Sequence, residues 1–193
     1  MSRILIAYST REGQTRSIAA SMAEALEHQG HTVHVTDVRE PEPGLRLDEY
    51  EAVLLGGSIH LGRFDRGLKG FVFRHRGELA AVPAGFFTVC LAASSPDDGR
   101  EEVMAYAERF FDATSWRPNL LTFVPGALLY RRYNFVVRFV MRGIARSTGL
   151  DTDTSRDWVY TDYDATRAWA TQAVDALLGA EVTPPLFCSR RAA

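Results

Sequence analysis

The sequence is poor in cysteine. Cys90 lies inside an apolar run and Cys188 near the end of the 193 residues, too few for a disulfide framework and not placed as metal ligands. The histidines (His28, His31, His34, His60 and His75) do not cluster and show no metal-ligand spacing, so no metal is expected. No stretch reaches the roughly 18 to 20 consecutive apolar residues of a membrane-spanning helix. Met1 runs straight into strand-like sequence without the charged, apolar and cleavage regions of a leader, and the expectation is a cytoplasmic domain. Internal repeats and low-complexity segments are absent. A G-x-x-x-x-G-K-[ST] run is missing, which excludes a nucleoside triphosphatase loop. The missing G-x-G-x-x-G disfavours a dinucleotide Rossmann site.

Acid is absent from one long stretch. Between Asp112 and Asp151 there is none, while Arg117, Arg131, Arg132, Arg138, Arg142 and Arg146 make the segment +6. The whole chain is −2, so the remainder carries −8 (−2 minus 6). Such asymmetry points to a localised cationic function. Nucleic acid is a poor partner for it, because the protein as a whole is acidic.

What remains is ordinary globular composition, 46% hydrophobic and 24% charged, in a length that suits one domain. Ile4–Tyr8, Thr32–Val35, Ala52–Gly57, Gly85–Leu91 and Leu120–Val124 read as strands, the first and third as short apolar runs of the buried parallel kind. Helical spacing follows over Gln14 to about Gln29, Leu68–His75, Glu101–Ala113 and Asp164–Leu178. Strands alternating with helices predict an α/β doubly wound parallel sheet, which binds ligands beyond the carboxyl ends of its strands. The domain is read as 1–179 with a frayed tail over 180–193. Pro125–Tyr160, between the last strand and the last helix, exceeds a connecting loop and needs structure or function of its own.

Ser9-Thr10-Arg11-Glu12-Gly13-Gln14-Thr15 joins the first strand to the first helix. Free amides at a helix N-terminus form an anion site, to which three hydroxyls and a close-approach glycine contribute. A monophosphate is the better match, although the same residues also serve as N-cap and turn residues.

The run Ile6–Thr15 resembles the FMN phosphate loop of flavodoxins. Its Arg-Glu-Gly-Gln-Thr-Arg portion is closer to the flavodoxin-type, quinone-dependent protoporphyrinogen oxidases of bacteria than to the Thr-Gly-Asn/Lys-Thr ending of ordinary flavodoxins. The likeness continues through Gly57-Ser58-Ile59-His60, Ser115-Trp116-Arg117-Pro118, Gly126-Ala127-Leu128-Leu129-Tyr130, Thr152-Asp153-Thr154 and Val159-Tyr160-Thr161-Asp162. It covers nearly the whole chain apart from the tail, and the later motifs are the specific ones.

The resemblance implies a flavodoxin-like five-stranded sheet in the order 2-1-3-4-5 with a basic, partly helical insertion after the fifth strand. It implies non-covalent FMN, with Ser9, Thr10, Arg11, Glu12, Gly13, Gln14 and Thr15 around the phosphate. Two further loops, Ser58-Ile59-His60-Leu61-Gly62 and Leu91-Ala92-Ala93-Ser94, would flank the ring. Neither offers an aromatic to stack on the flavin, although Phe64 is nearby, and this favours an open face for a bulky substrate. His60 is the one histidine in these loops and the candidate acid or base, since imidazole titrates near neutrality. With no partner visible in sequence, the plainer reading is a surface or flavin-flanking ring without a proton role.

In the insertion, Tyr130–Arg146 has helical periodicity. Arg138, Arg142 and Arg146 form one stripe, and Val136, Val140 and Ile144 another with Val137 and Phe139 beside it. The pattern suits an interfacial helix on anionic lipid. It suits equally a cleft for a large apolar ring bearing carboxylates, which arginine pairs bidentately. An ordinary amphipathic helix packed on the sheet, with solvated arginines, is the plainer reading.

By resemblance, the activity is FMN-dependent oxidation of protoporphyrinogen IX with electrons passed to a membrane quinone, a step of haem biosynthesis. The protein would be cytoplasmic and held peripherally at the inner face of the cell membrane, with the insertion and Arg117 serving substrate or lipid. A flavodoxin-like electron carrier and an NAD(P)H-dependent quinone reductase are the other readings. A carrier would have an acidic docking face and no long basic insertion.

Overall fold

The computed structural model describes residues 1–40, 42–94, 99–147 and 149–179. The expected tail over 180–193 lies outside the described residues. So do positions 95–98 of the loop after the fourth strand.

Strands β1 (Arg3–Ser9), β2 (Thr32–Asp37), β3 (Ala52–Ser58), β4 (Ala84–Cys90) and β5 (Leu120–Pro125) form one parallel sheet in the order β2-β1-β3-β4-β5. Helix α1 (Gln14–His28) follows β1. Helices α2 (Arg66–Arg74) and α3 (Arg76–Leu79) follow β3, and α4 (Gly99–Thr114) precedes β5. The insertion holds β6 (Ala127–Leu128), α5 (Phe135–Ser147) and β7 (Trp158–Val159), and α6 (Tyr163–Gly179) closes the domain.

β1, β3 and β4 are buried almost end to end because helices cover both faces of the sheet. Side-chain alternation divides their residues into two cores. Leu5, Val53, Leu55 and Phe86 meet Phe71 and Val72 of α2 and Phe110 and Phe111 of α4. Ile4, Ile6, Leu54 and Phe87 meet Ile18 and Met22 of α1 and Val174 and Leu177 of α6. Gly56 stands opposite Phe87 in the register, and a Cβ there would lie 2.2 Å from the Phe87 ring. The glycine is thus the space that the phenyl ring occupies.

The insertion folds on itself. β6 and β7 pair antiparallel, Ala127 with Val159 and Leu128 with Trp158. Leu128, Tyr130 and Ala145 form a small separate core, against which Tyr133, Met141, Leu150, Trp158 and Tyr160 pack. Helical spacing from Tyr130 predicts a longer helix than is found. α5 begins at Phe135 because Asn134 caps it, its Oδ1 accepting from the Val137 amide at 2.9 Å. Among the described residues no helix is long and apolar enough to cross a membrane.

Candidate functional site

The chain leaves β1 toward β2 on one side, and β3 returns on the other, so strand order reverses between β1 and β3. The crevice at the carboxyl ends of these strands is where doubly wound sheets take ligands. The loops after β1, β3 and β4, which carry all sixteen expected cofactor residues, meet at this edge.

Ser9, Thr10 and Thr15 are buried, and the hydroxyls of Ser9 and Thr15 have no hydrogen-bond partner there. Gly13 takes φ +93° as the residue before α1, and no side chain caps the helix. Two buried hydroxyls without a partner among the described residues therefore stand beside the N-terminal amides of a fifteen-residue helix that no described side chain caps. The loop holds its shape by other means. Thr10 Oγ1 accepts from the Gly13 amide at 2.9 Å. The Arg39 guanidinium donates to the Thr10 carbonyl and that of Arg132 to the Glu12 carbonyl. Gln14 Nε2 donates to Thr161 Oγ1 at 2.9 Å and to the Tyr163 hydroxyl at 3.2 Å. Thr161 in turn donates to the Pro125 carbonyl at 2.6 Å.

The side chains of Arg11 and Glu12 turn toward the loop after β3. Arg11 Nε lies 3.6 Å from Asp65 Oδ2, and Asp65 Oδ1 caps α2 by accepting from the Gly67 amide at 2.7 Å. Glu12 Oε2 lies 3.0 Å from His60 Nε2, close enough for an ion pair although the ring N–H is not aligned on the oxygen. His60 and Arg63 exchange backbone hydrogen bonds of 2.9 and 3.1 Å around a two-residue turn. Leu61 and Gly62 there take φ +48° and +72°, and the Leu61 side chain is 90% exposed. The Ile59 amide donates to the Val89 carbonyl at 3.0 Å. Leu91–Ser94 is a single 3-10 turn, with the Ser94 hydroxyl buried and without a partner among the described residues. Burial pushes the Cys90 thiol up. Phe64 belongs to the core, its ring centroid 5.5 Å from that of Phe86 and 4.8 Å from that of Phe110, so it offers no stacking surface.

The six arginines have different fates. Arg132 reaches the phosphate loop. Arg138 folds onto its own segment, with Nε donating to the Tyr130 carbonyl at 3.0 Å and NH2 to that of Tyr133 at 3.3 Å. Arg131, Arg142 and Arg146 are exposed, and among the described residues their guanidinium groups have no hydrogen bond or ion pair. Arg117 is not brought to this edge: it stands before β5, at the opposite end of the strands, in ion pairs with Glu108 and Asp112.

α5 inverts the usual polarity of a surface helix. Arg138, Met141 and Ala145 face the protein, whereas Phe135 (83% exposed), Val136, Phe139 (76%), Val140 and Ile144 face outward. The plainer reading, an apolar stripe packed on the sheet, is overturned: among the described residues of α5 only Ala145 is buried, and the room beneath the helix is filled by Tyr130, Tyr133 and Leu128. Burial raises the Tyr133 hydroxyl to about 12, so it stays neutral and accepts from the Leu129 amide at 3.3 Å.

Four residues that brace the site went unread in the sequence: Arg39, Asp65, Thr161 and Tyr163. Arg39 stands two residues after β2. Asp65 and Thr161 stand just before helices, and Tyr163 begins one. The available signal was their position at this end of the sheet. Among the described residues no group of three His, Cys, Asp or Glu lies close enough to hold a metal.

A family model described as a flavodoxin domain matches residues 5–155. Two relatives are named protoporphyrinogen IX dehydrogenase [quinone]. That of Escherichia coli (strain K12) is 36% identical over 163 residues, which are 84% of this chain and 89% of the relative. That of Leishmania major is 36% identical over 169 residues, 87% of this chain and 73% of the relative. Among solved structures, a short-chain flavodoxin associated with a PDU bacterial microcompartment aligns at TM-score 0.54 and 9% identity, over 92% of this chain and 99% of its own. A WrbA-like flavodoxin from Agrobacterium tumefaciens aligns at 0.50 and 14%, over 92% and 98%. At such identity these two show the fold alone. The chain belongs to the flavodoxin-domain family and, within it, to the group of its relatives named protoporphyrinogen IX dehydrogenase [quinone].

Proposed function

We propose that the protein binds FMN at the edge of β1, β3 and β4, oxidises protoporphyrinogen IX and passes the electrons to a membrane quinone. The observation that carries this reading is a phosphate-ready loop joined, through Arg132, to an insertion whose cations and apolar side chains face solvent. That combination comes with relatives named for this activity. The cradle fits the cofactor. The Ser9 and Thr15 hydroxyls and the first amides of α1 would hold the phosphate, and the turns at Ser58–Gly62 and Leu91–Ser94 would flank the ring. When bound, FMN supplies the two-electron redox chemistry, while the protein supplies position and electrostatics.

The residues of the chain perform the rest. Arg131, Arg142 and Arg146 are available to pair the two propionates of the substrate, for which a planar, always-charged donor is suited. The absence of a stacking aromatic leaves room for a large ring. The outward apolar face of α5, flanked by the same cations, suits peripheral contact with an anionic membrane at the inner face of the cell membrane. A hydrophobic quinone would be met there. Six electrons leave the substrate, so three rounds are required.

The test is anaerobic incubation of FMN-loaded protein with protoporphyrinogen IX and a menaquinone analogue, followed by porphyrin fluorescence. Controls omit protein, FMN or quinone in turn. A rise that requires all three is expected. FMN binding without such a rise would overturn the oxidase reading. Quinone reduction by NAD(P)H in its place would favour a reductase.

A further inference from the structure

Each two-electron oxidation of a porphyrinogen removes two hydrogens. One leaves a bridging carbon with the electron pair, as hydride. The other leaves as a proton, from a pyrrole nitrogen or a further bridging carbon, and a group of the protein must receive it. The described part of the site holds one side chain built for that task. His60 sits in the loop after β3 and Glu12 in the loop after β1, so their 3.0 Å contact spans the crevice at the switch point itself. We infer that His60 is the base of the proposed oxidation and Glu12 its positioning residue, an inference that rests on the reading given above.

The chemistry follows from which ring nitrogen Glu12 faces. A carboxylate beside Nε2 favours the tautomer with hydrogen on Nε2, which leaves the lone pair on Nδ1 to take the substrate proton. Through the 3.0 Å contact its charge also stabilises the imidazolium that results. The other charged groups around the pair leave Glu12 free for this role. Arg11 is engaged by Asp65 at 3.6 Å. Arg132 of the insertion addresses the Glu12 carbonyl rather than its carboxylate, and the Tyr133 hydroxyl, pushed to about 12, stays neutral. Arg63, which shares the turn of His60, is exposed.

The balance closes over one round. With FMN bound to supply the two-electron chemistry, the substrate would give up a hydride and pass a proton to His60. The quinone then takes two electrons and two protons to become the quinol, one proton arriving with the electrons and the other from the His60 imidazolium, which restores the base. The proton taken from the substrate is thus delivered to the acceptor.

The experiment uses FMN-loaded protein with two variants, His60→Gln and Glu12→Gln. Glutamine at 60 keeps a donor toward Glu12 and cannot accept a proton. Flavin bleaching by protoporphyrinogen IX is followed in an anaerobic single turnover across pH. His60→Gln is expected to slow bleaching about 100-fold, within the usual range for a lost base, and to remove the ionisation that governs the wild-type rate. Glu12→Gln is expected to slow it about 10-fold. Two readouts stand apart from activity. FMN affinity, from fluorescence quenching, is measured for both variants, and bleaching is compared at saturating FMN. The ¹⁵N shifts of the His60 ring are expected to show hydrogen on Nε2 in the wild type and a tautomer mixture in Glu12→Gln.

An unchanged pH profile in His60→Gln overturns the inference. So does a loss of FMN affinity that accounts for the slowing, which would make the pair a structural clamp. Wild-type flavin that protoporphyrinogen IX does not bleach overturns the functional reading first, and this inference with it.

Discussion

Thr15 offers a substitution whose two effects have opposite signs. Its hydroxyl is fully buried and lacks a partner, and valine replaces it with little change of shape. Leaving a hydroxyl dry and unpaired costs roughly 1 to 3 kcal/mol. Thr15→Val should therefore stabilise the cofactor-free protein. For a domain of this size each kcal/mol raises Tm by about 2 to 4 °C, so a rise of about 2 to 12 °C is expected by calorimetry. The same hydroxyl, bonded to a phosphate, would contribute about 1.5 to 3 kcal/mol, the range for hydrogen bonds to charged groups. FMN affinity, measured by quenching of its fluorescence, should then fall about 10- to 150-fold. Riboflavin, which has no phosphate, should bind variant and wild type alike. A variant that loses stability without FMN and binds FMN as well as the wild type would refute the placement of the phosphate at Thr15.

Three further outcomes are expected. Gly56→Ala, whose Cβ would meet the Phe87 ring at 2.2 Å, should cost about 1 to 3 kcal/mol by overpacking. Phe87→Leu should return part of it in a double-mutant cycle of thermal melts. Phe135→Ser with Phe139→Ser removes two exposed rings from α5, each worth about 1.5 to 3 kcal/mol if buried in lipid. Sedimentation with phosphatidylglycerol vesicles should show binding weakened about 100-fold or more, with unchanged helix content. Finally, burial holds the Tyr133 and Tyr160 hydroxyls up at about 12, above the unfolded value near 10. Stability from these groups is full below about pH 10 and is lost as pH rises toward 12. Tyr133→Phe should flatten that fall in Tm against pH.

The strands were legible because burial on both faces leaves an unbroken apolar run, as in Ile4–Tyr8 and Ala52–Leu55. The first loop was legible because hydroxyls and glycine stand between such a run and a helix. The partner of His60 was not, since Glu12 lies in another loop and only the β1–β3 adjacency brings them together. The direction in which α5 faces was equally hidden. Periodicity sorts Arg138 and Val140 onto different stripes, but the contacts beneath Arg138 and Ala145 decide which stripe meets the protein. Arg117 looked like part of a cationic patch because charge was counted along the chain. Its acids, Glu108 and Asp112, precede the acid-free stretch or bound it.

The bonds that brace the first loop also fix when it can be finished. Glu12 is tied to Arg132 across 120 positions, and Gln14 to Thr161 and Tyr163 across 147 and 149. Contacts so distant in sequence form late, after the local turns of α1 and the neighbouring strands. During synthesis, this loop leaves the ribosome well before the start of α6, which must follow before the loop is fully secured. A nascent chain halted before residue 160 would carry the loop's sequence without the braces that Thr161 and Tyr163 give Gln14. Cofactor capture then becomes a report on chain completion, and prematurely terminated products would be left without flavin.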